Sequence, residues 1–456
     1  MQAALEYLKQ NQKRFLAELV EYLRFPSVSA QSRHKPDMLA TANWLAQHCR
    51  KIGLTAEVRP TAGHPIVVAR TPRQAGTPKP HYVVYGHYDV QPPEPFELWK
   101  SPPFEARIVG RQLFARGSAD NKGQHFAHLK AVEACLATGT QLPCDLTFLI
   151  EGEEEVGSAN LAPFLKAHRA EFKCAGIVIS DTGMPRKDLP ALTSGLRGIV
   201  AFEITLHGPA RDLHSGLFGG AVDNPAMALA QLLARMRDAR GRVAVPGFYD
   251  EVQPLSRFER QQFARLPMKE TELKKLLGVP ALFGERGFTA VEQRGVRPTF
   301  EINGLTSGYQ GEGSKTIIPA WARAKITCRL VPNQKPERIR KLVLAHLKKL
   351  CPPTVRMEVE VGHGAEAYCV DPTGPQAQAA LRALKAAFGQ EPVLLREGGS
   401  IPIVNEFQRI LGAESLLLGL ALPDCDAHSP NEKFDLDCFA KGQAMSVHLW
   451  QELGQL

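Results

Sequence analysis

Two histidines and several carboxylates in this 456-residue sequence fall where their side chains could converge on metal ions. His87 and Asp89 follow the apolar run His-Tyr-Val-Val-Tyr-Gly, Glu153, Glu154 and Glu155 follow Leu-Thr-Phe-Leu-Ile-Glu-Gly, and Asp181 follows Ile-Val-Ile-Ser. His428 comes a short loop after the run Leu416 to Leu418. Apolar runs of this length read as buried strands, and in an open parallel sheet the carboxyl ends of the strands line the binding crevice. Asp120, in Arg-Gly-Ser-Ala-Asp-Asn-Lys-Gly-Gln, sits at the start of an apparent helix to about Leu136. Asp is a common helix cap, yet a carboxylate facing the same crevice could also bridge two cations.

Two imidazoles and three carboxylates form a mixed nitrogen and oxygen set that suits Zn²⁺ or Mn²⁺, whereas Mg²⁺ or Ca²⁺ would favour oxygen alone. With Asp120 as a bridge, each of two divalent ions receives two further protein ligands and keeps open positions for water and substrate. The three adjacent glutamates cannot all face one site. One ligand and one neighbour poised over the attacking water is the division expected, with Glu153 equally readable as solvated charge. A carboxylate beside two cations takes a proton from that water and returns it to a leaving amine, which is hydrolysis. Asp89 either ends a strand or accepts the second ring N–H of His87 and so fixes its tautomer.

The elements that must position these groups alternate in type. Helical periodicity covers roughly 3–24 and 37–53, and strand-length apolar runs lie at His81 to Tyr85, Leu146 to Ile150 and Ile177 to Ser180. That pattern predicts an α/β domain with a mainly parallel sheet flanked by helices. From Ile199 the pattern changes to alternation, with Val200, Phe202, Ile204 and Leu206 on one face, a helix from about Asn224 to Arg237, and a second alternating run over Ala320 to Leu330. A helix from Pro336 to Leu350 and a strand from Val355 to Val361 complete a small α+β unit with helices on one face of an antiparallel sheet. After Asp371 the α/β character returns, with helices near Pro375 to Phe388 and Asp437 to Leu453. The expected organisation is one discontinuous α/β domain, 1–197 and 369–456, interrupted by an inserted domain over 198–368. The cleft between them is the expected ligand site. The stretch from about Val243 to Arg297 has helix-like and proline-rich parts with no evident place.

Composition narrows the class. Hydrophobic residues at 44% and charged residues at 22% are those of a globular chain. The net charge of +8, 55 basic against 47 acidic residues, is scattered, which argues against a nucleic-acid track. Nine widely spaced cysteines without a CxxC pair suggest neither a disulfide framework nor a thiolate zinc site, and fit a reducing cytoplasm. No segment reads as a secretory signal or a membrane span, so no membrane partner is expected.

The motifs GHYDVQPP, ARGSADNKGQ, EGEEEVGS, SDTG, DLHSG and AHSPNE, in this order over nearly the whole chain, resemble the aminoacylase, carnosinase and carboxypeptidase-G family of dinuclear metallopeptidases. The resemblance implies a phosphorylase/hydrolase-like catalytic domain and an inserted lid and dimerisation domain. It implies His87, Asp120, Glu155, Asp181 and His428 as metal ligands, Glu154 as the catalytic carboxylate, Asp89 as its support, and a cis peptide after Asp120. It also implies that His214, in DLHSG, reaches the active site of a neighbouring subunit to stabilise the oxyanion. Thr316 in SKTIIP, Arg329 in ITCRLVP and Ser400 in REGGSIP resemble substrate contacts of the carnosinase-like cytosolic dipeptidase branch. Arg329 also falls on the polar face of its predicted strand, where a guanidinium could grip a terminal carboxylate in bidentate fashion.

A dipeptidase acting as a homodimer is therefore the first expectation. An N-acyl-amino-acid amidohydrolase or a carboxypeptidase would use the same metals and base. A catalytically silent dimeric binding protein would lack a ligand or the base, and every such position is filled.

Overall fold

The computed structural model describes residues 1–72, 78–267, 269–399 and 401–456, so Ser400 lies outside the described residues. Two sheets organise the chain. In the larger, nine-stranded sheet, Asp145–Glu151, His81–His87, Gly176–Ile179 and Glu414–Leu417 lie side by side and run parallel. Antiparallel pairs flank this centre, Ile66–Arg70 and Thr55–Arg59 on one side and Ala191–Leu196 with Tyr368–Cys369 on the other, while Val393–Glu397 pairs Ala191–Leu196 in parallel. The architecture is α/β with a mainly parallel core, as expected.

The central strands read as unbroken apolar runs because both of their faces are covered. Tyr82, Val84, Leu146, Phe148 and Val178 point into one core, with the N-terminal helices, Lys122–Ala137, Pro375–Phe388 and Leu436–Leu453. The alternate residues Val83, Tyr85, Leu149, Ile177 and Ile179 point into the other, against Leu161–Ala167 and Pro402–Leu411. Register then aligns the strand ends: His87 pairs with Glu151, and Tyr85 with Ile179. The first predicted helix is two, Gln2–Gln10 and Gln12–Leu23, interrupted at Asn11. Its periodicity survives because Ala4, Leu8, Phe15 and Leu19 all enter one core.

The second sheet has four antiparallel strands in the order Thr299–Ser307, Trp321–Leu330, Gly198–His207, Arg356–Ala365. Its alternation works as the sequence suggests: Val200, Phe202, Ile204 and Leu206 meet Ala322, Ala324, Ile326 and Cys328 in a core covered by Pro225–Ala234 and Pro336–Leu350. The Asn224 side chain caps the first of these helices by accepting from the Ala226 N–H. The chain passes from one sheet to the other between Leu196 and Gly198, and returns before Tyr368.

The stretch without a place in the sequence pattern forms three short helices, Arg257–Ala264, Glu270–Leu277 and Ala290–Val296. The first and third start in capping boxes, Ser256 with Glu259 and Thr289 with Glu292, and pack on the Val393–Glu397 strand of the larger sheet. No helix among the described residues is long and apolar enough to cross a membrane.

Candidate metal centre and substrate cleft

The parallel strands deliver their following residues to one edge, and the five expected ligands meet there. His87 Nε2 lies 3.2 Å from Asp120 Oδ1 and 3.5 Å from Asp181 Oδ1. His428 Nε2 lies 2.9 Å from Asp120 Oδ2 and 3.3 Å from Glu155 Oε2. The Asp120 carboxylate thus offers one oxygen to each half of the cluster, the arrangement a bridge between two cations requires. His87 Nε2 and Glu155 Oε1 are buried without a hydrogen-bond partner, although buried polar atoms ordinarily have one. Lone pairs left bare in this way, on nitrogen and oxygen donors, fit a divalent cation.

Close approach of backbone makes the cluster possible. At Gly86 a Cβ would stand 2.7 Å from the His125 Cβ, so only glycine lets the Lys122–Ala137 helix start against the His81–His87 strand. Asn121, joined to Asp120 by a cis peptide, donates to Asp181 Oδ1 at 2.8 Å and to the Ser180 carbonyl at 2.5 Å. His125 holds the Asn121 Oδ1 at 3.0 Å and reaches the Tyr22 hydroxyl at 3.2 Å. The loop before Asp120 is fixed by buried Glu432, whose carboxylate accepts from Arg116 and from the N–H groups of Gly117, Ala119 and Asp120 at 2.8–3.0 Å.

Asp89 lies beneath the cluster. His87 Nδ1 is 3.0 Å from the Asp89 carbonyl and 3.3 Å from its carboxylate, which leaves Nε2 free to act as a ligand. The same carboxylate accepts from the Glu154 and Glu155 N–H groups at 3.2 and 3.1 Å, tying the glutamate turn to the histidine. Gln91 donates to Glu155 Oε2 at 2.8 Å. Glu153 turns away and accepts from His64 N and Asn160, which settles its place outside the cluster.

Burial and the crowding of carboxylates set the electrostatics of the site. Burial pushes the Glu154 carboxyl well above its ordinary range; His87 pulls it back, and Asp181, Glu155 and Asp120 add to the rise. Glu155 is raised by burial and by Asp120. Burial alone would lower His87, but the surrounding carboxylates of Asp181, Asp120 and Asp89 hold its imidazole well above 6.5. Hydrogen bonds to Asp120 and Glu155 lift His428 to about 10. A second acid and imidazole group, Glu18, His48 and Glu133, is already filled by Lys130, whose ammonium lies 2.6, 2.6 and 2.8 Å from them.

Asp120 and Asp181 open onto a cleft of about 810 Å³ that Arg329 also lines. Arg197, Arg294 and Glu397 share this lining and were not singled out by sequence reasoning. Glu397 accepts from the Gly183 N–H at 2.9 Å, and burial lifts its carboxyl to about 6 against the pull of that N–H and of Arg294. His214 and Thr316 lie elsewhere, both exposed, His214 in a short two-stranded ladder with Ile317 and Thr316 just before that strand, where its carbonyl accepts from the Ser215 N–H at 3.0 Å. His214 Nδ1 accepts from the Gly216 N–H at 3.0 Å, so a neutral ring carries its proton on outward Nε2.

The profile of Peptidase family M20/M25/M40 matches residues 83–452. The Cys-Gly metallodipeptidase DUG1 of Candida albicans is 31% identical over 463 aligned residues, which cover 97% of this chain and 95% of that protein. Among solved structures, human carnosine dipeptidase 1 aligns at a TM-score of 0.85 and 29% identity, over 99% of this chain and 98% of that one. The metallo-carboxypeptidase Sso-CP2 from Sulfolobus solfataricus aligns at a TM-score of 0.86 and 32% identity, over 97% and 99%.

Proposed function

The chain belongs to peptidase family M20/M25/M40, and from that membership we propose that it is a metal-dependent exopeptidase that hydrolyses the peptide bond of dipeptides. One observation carries the reading: Asp120 and Asp181, two carboxylates of the ligand cluster, line the same cleft as Arg329. In this reading His87 and Asp181 hold one cation, His428 and Glu155 the other, and Asp120 both. Zn²⁺ or Mn²⁺ suits the imidazole and carboxylate donors. Two such ions polarise the scissile carbonyl and the attacking water when bound.

The chain's own groups do the rest. Glu154, held at its backbone by Asp89, takes the proton of the attacking water and returns it to the leaving amine. Arg329, Arg197 and Arg294 give the cleft a cationic end for the substrate's terminal carboxylate. Glu397, anchored two residues from Asp181, suits a free α-ammonium, which an N-acylated substrate lacks. Ser400 is proposed as a further substrate contact, and Thr316, beside His214 and outside this cleft, as one made in the partner's cleft.

Homodimerisation is part of the proposal. The edge strand Thr299–Ser307 leaves Ile302 and Leu305 at 44% and 61% exposure, and Trp321 on the next strand is also open. Exposed apolar side chains along an unpaired edge favour pairing with a second copy. An outward Nε2–H on His214 could then stabilise the oxyanion in the partner's cleft. Nine free cysteines suit a cytoplasmic setting.

The test compares dipeptides with their N-acetylated counterparts, with metal analysis of the same sample. Higher kcat/KM on the free dipeptides is expected. Preference for the acetylated set would give the deacylase reading instead.

A further inference from the structure

The Glu270–Leu277 helix carries Leu273, Leu276 and Leu277 at spacings of three and four, hence on one face. Leu273 is buried, whereas Leu276 and Leu277 each keep 56% of their surface exposed. All three line the cleft that holds Asp120 and Asp181, and Val291 from the following helix joins them. Val291 and Arg294 stand one turn apart on Ala290–Val296, and both face the cleft. An apolar wall therefore adjoins the guanidinium groups of Arg294, Arg197 and Arg329 within a single space.

The cationic end is a built feature. Arg197 donates to the Gly398 carbonyl at 3.2 Å and the Arg297 carbonyl at 3.4 Å. A Cβ on Gly398 would stand 2.6 Å from Arg197 Nη2, so glycine there leaves room for the guanidinium. A carboxylate held at this end fixes which substrate residue lies beside the wall. The side chain of that residue branches from the carbon next to the carboxylate, so it enters the same space that the leucines line. Exposed leucines beside a polar binding site release water when an apolar group covers them.

We infer that Leu273, Leu276 and Leu277 form the pocket wall for the side chain of the dipeptide's C-terminal residue, and that this wall selects substrates ending in a large apolar residue. The inference rests on the dipeptidase reading for its substrate, while the wall itself can be tested without turnover.

Hydrolysis of Gly-Leu, Gly-Phe, Leu-Gly and Gly-Gly is measured with the metal-loaded full chain, together with calorimetric binding of free L-leucine and glycine. Gly-Leu and Gly-Phe are expected to exceed Gly-Gly and Leu-Gly in kcat/KM by at least roughly tenfold. The double variant Leu276→Ser, Leu277→Ser is expected to cut the Gly-Leu to Gly-Gly ratio by about tenfold, about 1.4 kcal/mol. Metal content reports whether the variant is folded around its site, and both positions are surface-exposed. An unchanged ratio in the variant, or preference for Leu-Gly, overturns the inference. Absence of hydrolysis of every dipeptide overturns the dipeptidase reading instead. The wall then stands if leucine binds more tightly than glycine and the variant abolishes that difference, and falls if the difference persists or never existed.

Discussion

Asp120 and His428 stand 308 positions apart in the chain and 2.9 Å apart in the fold. The other Asp120 oxygen faces His87 at 3.2 Å, so a single carboxylate joins the two halves of the candidate metal centre. Asp120→Asn keeps the side chain's shape but removes its charge and replaces one acceptor oxygen with a donor. The variant is expected to lose at least one of the two cations on dialysis, measured by elemental analysis. Retention of both would remove the bridging role.

Glu154 differs from its neighbour Glu155 in what surrounds it. Glu155 Oε2 meets His428 and Gln91, whereas Glu154 is tied to Asp89 only through its backbone N–H. Its carboxyl is therefore available for proton transfer. Glu154→Gln should leave metal content near normal and lower kcat by about 100-fold or more, the usual scale for a lost general base. A kcat within a few fold of the unaltered enzyme would reassign the base.

How far these roles could be read from the sequence depends on how local their causes are. His87 and Asp181 each follow an apolar run, and parallel pairing aligns those runs at one edge, so strand ends alone bring them together. Residue types alone do not choose Glu155 over Glu153; the family resemblance does, and the fold adds a physical reason, because His64 and Asn160 draw Glu153 aside. Glu432 escaped notice because Arg116, its partner, is 316 positions away and no local pattern links them. Arg197 and Glu397 reach the cleft only because Ala191–Leu196 and Val393–Glu397 pair in parallel. Ser256 and Thr289 cap two of the helices between Arg257 and Val296, but those short helices gain their place from the strand they cover, which no periodicity encodes.

Acid should destabilise the protein from near neutrality. His48 and His128 are buried, and burial lowers both imidazoles to about 3; at His48 the Lys130 ammonium adds to the effect by donating to Nε2 at 2.6 Å. The unfolded chain protonates these rings near pH 6.5 while the folded chain keeps them neutral. Their contribution is thus complete above about pH 6.5 and is lost progressively as the pH falls toward 3. At pH 5 each ring costs about 2 kcal/mol of stability relative to pH 7.5, enough to lower Tm by several degrees. His48→Gln retains an acceptor for Lys130 and removes one titration. Calorimetry should give it a shallower fall in Tm between pH 7.5 and 5 than the unaltered protein; parallel curves would show that His48 does not titrate on unfolding.

His214 offers the sharpest test of whether one subunit completes another. Its Nδ1 accepts from the Gly216 N–H, which directs the donor Nε2–H outward, and the residue is exposed outside the cleft lined by Asp120 and Arg329. His214→Ala should therefore lower kcat with little change in Tm or metal content, because the exposed ring supports no core packing. Loss of one oxyanion donor typically costs about 100-fold or more. The Glu154→Gln variant keeps its own His214 but lacks the base. Mixed with His214→Ala, it can form a heterodimer in which one cleft has an intact Glu154 and receives an intact His214 from the partner. Activity should then rise well above the sum of the two separate variants, toward a quarter of the unaltered level if subunits exchange freely and each cleft acts independently. A mixture with only the summed activity, after exchange is verified by tagged co-purification, would place His214 outside the partner's cleft.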